Sequence, residues 1–233
     1  MNVMLDKLKE RVFRANIDLL EHGLVIHTWG NVSGRDMETG MIVIKPSGIG
    51  YEMMKASDMV VLDPEGKVVE GKYKPSTDLP THIFLYKSFS SLGGVVHTHS
   101  AYATSWAQAG RSIPPFGTTH ADHFYGEIPC TRLLKDEEIA NEYEVNTGKV
   151  IVEKIGKSDP LSVPSILVNC HGPFCWGVDP ESAVYNAVAL EEIARMAFYT
   201  VLLGNKEPVD KALLDKHFKR KHGSSAYYGQ NKK

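Results

Sequence analysis

Apolar residues between positions 5 and 20 return every three or four places along the chain. That spacing predicts a helix over 4–22, and Gly23 is a natural residue for its C-terminal end. The stretches 41–48 and 58–62 are rich in valine and isoleucine and predict strands. The first quarter of the chain therefore combines one amphipathic helix with the start of a sheet.

The next pattern is a hairpin, because the turn sequence DPEG at 63–66 joins the strand before it to KVVEG. A further helix is predicted to begin at Pro80, with Thr77 or Asp78 as its cap. The other predicted helices are 101–110, 136–156, 179–203 and 208–222. A strand is predicted at 93–100, and two more on either side of a Gly-Pro turn within 165–177. The hairpins require antiparallel pairing. One α/β domain with a mixed or antiparallel sheet follows from these patterns.

Composition narrows the class of protein. The chain has 233 residues, a net charge of −2 and 42% hydrophobic residues, which is ordinary globular composition. This charge balance argues against nucleic acid as a partner. No stretch approaches the roughly 20 apolar residues of a membrane span, and three cysteines without a CxxC pair fit a reducing compartment. We therefore expect a cytoplasmic protein that binds neither nucleic acid nor membrane.

The segment GGVVHTHS carries two histidines, His97 and His99, at the end of an apolar run. Residues i and i+2 of a strand project from the same face, so two imidazoles could share one cation. A catalytic zinc ion usually takes three protein ligands. His171 also ends an apolar run at a turn and is the preferred third ligand.

Other interpretations of these residues stay open. His120 and His123, which flank Asp122, and His82 within a helix are weaker candidates for the third ligand. Cys170 and Cys175 could also bind a metal, but their positions suggest alternating core residues. HxH alone could be two polar side chains that close a strand.

Two short segments favour an anion. IKPSG at 44–48 and KPSTD at 74–78 each combine a lysine, a proline and hydroxyl side chains, and the second leads into a helix N-terminus. Asn31 in WGNVSG could donate to the same phosphate oxygens. Each segment could also be only a polar turn, and no nucleotide-binding pattern is present.

Taken together, TWGNVSG, IKPSG, KPSTDLPTH, GGVVHTHS, TTHADHFYG, CHGPFCWG and HGSSAYYGQ resemble the class II aldolase/adducin family, from the first helix to the tail. The resemblance implies a single three-layer α/β domain over 1–233, with a central, largely antiparallel sheet flanked by helices. It also implies a homotetramer with fourfold symmetry, in which the tail at 223–233 contributes to an active site between subunits. Its cofactor would be Zn2+, with Mn2+ or Co2+ as alternatives.

The resemblance assigns expected roles residue by residue. The metal ligands would be His97, His99 and His171, with Asp78 beside them. The phosphate of a sugar-phosphate substrate would contact Asn31, Lys45, Ser47, Gly48, Ser76 and Thr77. The acid/base pair would be Asp122 and Tyr228, the latter from an adjacent subunit. Glu144, His217 and Arg220 would line the same interface with less defined roles.

The epimerase branch of the family is the nearest resemblance, and it inverts C4 of a ketopentose phosphate by cleaving and re-forming the C3–C4 bond. An aldolase of the same family, acting on L-fuculose or L-rhamnulose phosphate, is the main alternative. Those relatives carry Glu where this chain has Asp78. A non-enzymatic adducin-like binding module is the third possibility, and it would lack the metal histidines. Asp122 could also only orient its neighbouring histidines, and Tyr228 could only anchor the tail.

Overall fold

The computed structural model describes residues 3–205, 207–222 and 226–228. The helices in this part of the chain are α1 (Val3–Glu21), α2 (Leu79–Ser88), α3 (Ala101–Gln108), α4 (Thr118–His123), α5 (Asp136–Ala140), α6 (Tyr143–Ile155), α7 (Pro180–Leu202) and α8 (Lys211–Lys221). The strands are β1 (Asn31–Arg35), β2 (Ile42–Ile44), β3 (Val60–Leu62), β4 (Val68–Glu70), β5 (Gly94–His97), β6 (Ser165–Val168) and β7 (Gly172–Gly177).

The strands form one sheet in the order β4-β3-β2-β1-β5-β7-β6. Every neighbouring pair is antiparallel, so the prediction of a largely antiparallel sheet is confirmed. β1 and β5 lie at its centre, and their register places Asn31 opposite His97. The ends of the central strands therefore bring residues that are distant in sequence to one edge of the sheet.

Helices cover both faces of the sheet, because alternate strand residues point to opposite sides. Val96 of β5 packs in a core with residues of α1, α3 and α7. Its neighbour Val95 packs in a second core with residues of α2 and α6. The expected three-layer architecture is therefore confirmed.

Two predicted elements have different bounds in the structure. The single helix over 136–156 is wrong, since α5 ends at Ala140 and α6 begins at Tyr143. Glu142 between them has a left-handed backbone with φ of 50°, which interrupts the helical path. The predicted strand over 93–100 ends at His97, so His99 lies beyond it.

The turn within 165–177 was also predicted at the wrong place. Gly172 and Pro173 are the first residues of β7, and the turn is made by 169–171. Cys170 takes a left-handed conformation there, with φ of 60°, and its side chain is exposed. The interpretation of Cys170 as a core residue is therefore wrong, whereas Cys175 is buried as expected.

The last predicted helix is present as α8, at Lys211–Lys221. Of the tail at 223–233, the structure describes 226–228, and the rest of that predicted segment lies outside the described residues. Among the helices described, none is long and apolar enough to cross a membrane.

Candidate metal centre and substrate cavity

Three histidines converge at adjacent ends of β5 and β7. His97 is the last residue of β5, His99 follows two residues later, and His171 closes the turn before β7. One ring nitrogen of each lies within 4.8 Å of the others, and the Nε2 atoms of His97 and His99 are 3.0 Å apart. The predicted convergence is present, although strand alternation does not produce it, because His99 lies outside the strand.

Neighbouring groups fix the orientation of these imidazoles. The Nδ1 atom of His97 is 2.9 Å from the Pro173 carbonyl oxygen, and its ring stacks on Phe174 with centroids 4.2 Å apart. His171 Nδ1 lies 3.3 Å from the Tyr143 hydroxyl. A His97 Nδ1–H that donates to the carbonyl leaves the Nε2 lone pair facing the cluster, as in metal-binding histidines.

Burial lowers the pKa of all three histidines below the usual imidazole range. For His171 the pKa falls to about 3, because His97 and His99 also disfavour a second positive charge. Neutral imidazole is the form that binds a cation. Three converging neutral nitrogen donors therefore fit a divalent metal with an open coordination position.

The alternative ligands lie elsewhere in the described chain. His82 is buried, with Nδ1 2.7 Å from the Ser33 hydroxyl oxygen. His120 Nε2 lies 2.6 Å from the Gly126 carbonyl oxygen. Neither belongs to the cluster, and Cys175 is paired with Ser165 in the core. Within the residues described, His171 is the third histidine of the cluster.

Asp78 lies at the start of α2, but its carboxylate does not cap the helix. Instead it accepts a hydrogen bond of 2.7 Å from the Asn31 amide. Burial disfavours the charge, but His97, His82 and the Asn31 amide outweigh that effect and hold the pKa of Asp78 below its usual range. The Asp78 carboxylate beside the histidines is therefore ionised. The buried Oδ1 atom of Asn31 has no hydrogen-bond partner among the described residues.

The two KPS segments, which resemble each other in sequence, pair with each other in space. Ser47 N donates to the Lys74 carbonyl at 2.9 Å, and Ser76 N donates to the Lys45 carbonyl at 3.0 Å. Their hydroxyls and the N-terminus of α2 therefore line the same opening. Backbone N–H groups at a helix N-terminus favour an anion.

Lys45 supplies a buried positive charge at this position, with 2% of its surface exposed. Its ammonium donates to the Ile49 carbonyl at 3.1 Å and lies 4.9 Å from the centre of the Tyr51 ring. Among the described residues no carboxylate forms an ion pair with it. Burial lowers the pKa of Lys45 to about 8. An anionic ligand would compensate this charge.

One cavity of about 450 Å³ joins the histidine cluster to the paired KPS turns. Its lining comprises Thr28, Trp29, Gly30, Asn31, Lys45, Pro46, Ser47, Gly48, Ser76, Thr77, Asp78, His97, His99 and His171. The ten residues predicted for metal and phosphate binding all belong to this lining. A small phosphorylated molecule fits such a volume.

A second cluster surrounds Asp122 on α4. Arg220 of α8 donates to both carboxylate oxygens, at 3.0 and 2.6 Å, and His217 Nδ1 lies 3.0 Å from Oδ1. Burial raises the pKa of Asp122, but the hydrogen bonds from Arg220 and His217 outweigh it, so the pKa is below its usual range. The Tyr228 ring lies 5.0 Å from the Arg220 guanidinium.

The structure therefore groups Asp122, His217, Arg220 and Tyr228 together, apart from the lining of the cavity. Glu144 lies separately on α6, where its backbone carbonyl accepts from the Thr81 hydroxyl at 2.6 Å. Tyr228 is 61% exposed. In this chain, the predicted acid/base pair does not line the cavity that holds the histidines.

Several residues of the site are not among those predicted from the sequence, and three of them are aromatic. Trp29 lines the cavity, Tyr51 lies below Lys45, and Tyr143 contacts His171. Trp29 lies two residues before Asn31, within the same WGNVSG segment, so that segment carries a signal. Tyr143 carried none, because its position depends on how α6 packs beside the turn before β7.

Comparison with known proteins decides the family. The model of the class II aldolase and adducin N-terminal domain matches residues 10–198. The chain belongs to this family. The family assignment predicted from the motifs is thereby confirmed, and the fold agrees with it.

Several proteins are similar to this chain over nearly its whole length. A protein of Salmonella paratyphi A, named L-ribulose-5-phosphate 4-epimerase UlaF, is 59% identical over 227 residues, which are 97% of this chain and 100% of the relative. The Salmonella typhi protein of that name has the same identity and coverage. An L-fuculose 1-phosphate aldolase has a similar fold, with a TM-score of 0.77 and 23% identity over 91% of this chain and 94% of its own.

Proposed function

We propose that the chain is an L-ribulose-5-phosphate 4-epimerase, which interconverts L-ribulose 5-phosphate and D-xylulose 5-phosphate. The observation that carries the proposal is the single cavity that joins three histidines to two paired phosphate-type turns. The 59% identity to the UlaF relatives, over nearly the full length of both chains, supports the specific reaction. A cytoplasmic location stays a prediction from the sequence.

The proposed cofactor is a divalent cation, Zn2+ or alternatively Mn2+ or Co2+, held by His97, His99 and His171. Asp78 lies close enough to the histidines to influence their charge. Imidazole nitrogens suit several transition metals. When bound, the cation supplies Lewis acidity that stabilises negative charge developing on substrate oxygens.

The reaction follows from the chemistry of C4, whose proton is not acidic. Cleavage of the C3–C4 bond removes the need to take that proton, and it produces glycolaldehyde phosphate and the enediolate of dihydroxyacetone. Rotation of the aldehyde presents its other face, and re-addition then gives the C4 epimer. The protein has to hold both fragments throughout, and it has to move a proton to and from the C4 oxygen.

Lys45, Ser47 and Ser76 are the proposed anchors of the phosphate. The buried ammonium provides charge, and the Ser47 and Ser76 hydroxyls provide donors around one anion. Gly48, Thr77 and Asn31 belong to the same lining. An anchored phosphate keeps the aldehyde in the cavity while its carbonyl group turns over.

Asp122 and Tyr228 are the proposed acid/base pair at the C4 oxygen. Because they lie outside the cavity of their own subunit, we place them in the site of a neighbouring subunit within a tetramer of fourfold symmetry. His217 and Arg220 would orient Asp122 there, and Glu144 would line the same interface. The segment 223–233, which follows α8, would accompany them in a single domain that spans 1–233.

The alternative function is cleavage by an aldolase that releases both fragments. The experiment that separates the two is incubation of the purified, cation-loaded protein with L-ribulose 5-phosphate. Accumulation of D-xylulose 5-phosphate is the expected result. Net formation of dihydroxyacetone and glycolaldehyde phosphate without the epimer would support the aldolase, and absence of any bound divalent cation would support a binding module.

A further inference from the structure

Trp29 is an exposed aromatic side chain on the wall of the substrate cavity. Its ring centre lies 6.3 Å from that of His99, and 51% of the residue's surface is exposed. The other two tryptophans, Trp106 and Trp176, are buried and donate to backbone carbonyls. Of the three tryptophans, Trp29 is the one that lines the cavity, so its ring is available to a bound ligand.

The backbone that carries this ring is firmly held. The Tyr51 hydroxyl lies 2.9 Å from the Trp29 carbonyl oxygen and 3.0 Å from that of Gly30. Gly30 has φ of 74°, and a Cβ atom there would lie 2.9 Å from the His97 carbonyl oxygen. The backbone of this segment is thus held against β5, and the Trp29 side chain forms part of the cavity lining.

We propose that Trp29 forms an apolar wall that retains the enediolate fragment between cleavage and re-addition, and so favours epimerisation over net aldol cleavage. This inference rests on the proposed epimerase function. The carbon skeleton of a planar enediolate presents a flat face, and an aromatic ring packs well against such a face. The KPS turns would hold the phosphorylated fragment and the proposed cation would act on the oxygens of the other fragment, so the carbon face of that fragment is left for Trp29 to cover.

The step that the Trp29 wall would suppress is the release of the two cleavage fragments before they recombine. On cleavage, the C4 hydroxyl proton passes to the protein base and the C3–C4 electron pair remains on C3. If the fragments separate, C3 takes one proton from water and dihydroxyacetone leaves with glycolaldehyde phosphate. Exclusion of water from a reactive intermediate is a known way to prevent this loss.

The test compares Trp29→Ala with Trp29→Phe, which keeps an aromatic face. Dihydroxyacetone released from L-ribulose 5-phosphate is measured with glycerol dehydrogenase and NADH, relative to D-xylulose 5-phosphate formed. The alanine variant should raise this ratio roughly tenfold, as expected for loss of one aromatic packing contact. The phenylalanine variant should stay close to the unsubstituted protein. Met37→Ala, which removes another exposed apolar side chain outside the cavity, should leave the ratio unchanged.

A binding measurement supplies a readout independent of turnover. Glycolohydroxamate, a planar bidentate metal ligand of similar shape to the enediolate, should change the tryptophan emission of the cation-loaded protein. Trp29→Phe should lose that change, because the remaining tryptophans are buried. An unchanged product ratio in Trp29→Ala, or an emission change that survives in Trp29→Phe, would overturn the role of Trp29. Failure of the unsubstituted protein to form D-xylulose 5-phosphate would instead overturn the proposed function.

Discussion

The three histidines lie at the ends of neighbouring strands, whereas Asp122 lies on the short helix α4 and is held by residues of α8. The sheet positions the first group next to the phosphate-type turns. In the second group Arg220 and His217 contact the Asp122 carboxylate, and none of these three residues lines that cavity. Under the proposed function, binding and proton transfer would be assigned to separate parts of the fold, and a neighbouring subunit would bring them together.

The largest effect is expected from the histidine group. His97→Asn should abolish stoichiometric cation binding and lower kcat by about a thousandfold or more, since Lewis-acid stabilisation is worth several kcal/mol. Metal content by mass spectrometry and epimerase assays measure both. His22→Asn, at an exposed histidine just beyond α1, is the control. Full activity of metal-free His97→Asn would contradict the assignment.

Asp122→Asn should lower kcat by about a hundredfold or more while metal content is unchanged, because general acid/base catalysis contributes that much. Asp215→Asn is a matched control, since Asp215 forms ion pairs with Lys211 and Lys219 of the same helix as Arg220. Wild-type turnover in Asp122→Asn would remove this residue from the mechanism.

Mixing the two inactive variants tests whether the groups meet across subunits. If each site takes its histidines from one subunit and Asp122 from the next, hybrid tetramers of His97→Asn and Asp122→Asn contain intact sites. Random assembly should restore about a quarter of wild-type activity. Co-refolded mixtures are assayed against each variant alone, and activity no higher than the separate variants would contradict the shared site.

A smaller, pH-dependent effect is expected at Lys45. Burial lowers its pKa to about 8, so the ammonium loses its proton as the pH rises through that value. KM for the sugar phosphate should then rise by about tenfold per pH unit above 8, with less effect on kcat. Lys45→Arg keeps its positive charge and should make KM nearly independent of pH. Lys74→Met, in the other KPS turn, should leave the pH dependence of KM unchanged. A KM that is constant to pH 9.5 would exclude Lys45 from phosphate binding.

The smallest effect is expected from Tyr51→Phe, which removes only the hydroxyl that contacts the Trp29 and Gly30 carbonyls. A loss of about one hydrogen bond predicts a two- to tenfold decrease in kcat/KM, roughly 0.5–1.5 kcal/mol. Acrylamide quenching of tryptophan emission should increase at the same time, because the Trp29 ring becomes less fixed. Tyr73→Phe, beside the surface residue Lys72, is the control. Unchanged quenching in Tyr51→Phe would show that this hydroxyl does not position the wall.

Local patterns were sufficient for much of the histidine group. His171 could be predicted because it follows an apolar run that ends in a turn. The pairing of β5 with β7, which brings it to His97, is visible only in the structure. The pairing of the two KPS turns could not be predicted in the same way, since it depends on the path of the chain between β2 and α2. Their similar sequences suggested similar chemistry without indicating that they touch.

Other differences have equally local causes. The break between α5 and α6 depends on the left-handed backbone of Glu142, a conformation that its residue type does not favour. The displaced turn before β7 depends on Cys170 in the same conformation, where glycine would have been the expected residue. The motifs that resemble the family placed Asp122 and Tyr228 in the chemistry, but periodicity along one chain carries no information about contacts between subunits.

The buried ammonium of Lys45 also has a consequence for folding. A charge without a nearby carboxylate among the described residues opposes the folded state when the cavity is empty. Between pH 8 and the ordinary lysine range, the unfolded chain binds more protons at this position, so its contribution to stability increases with pH. At neutral pH, a bound anion would balance the positive charge of Lys45. Phosphate esters in solution would therefore raise the melting temperature and protect the newly folded chain before any reaction takes place.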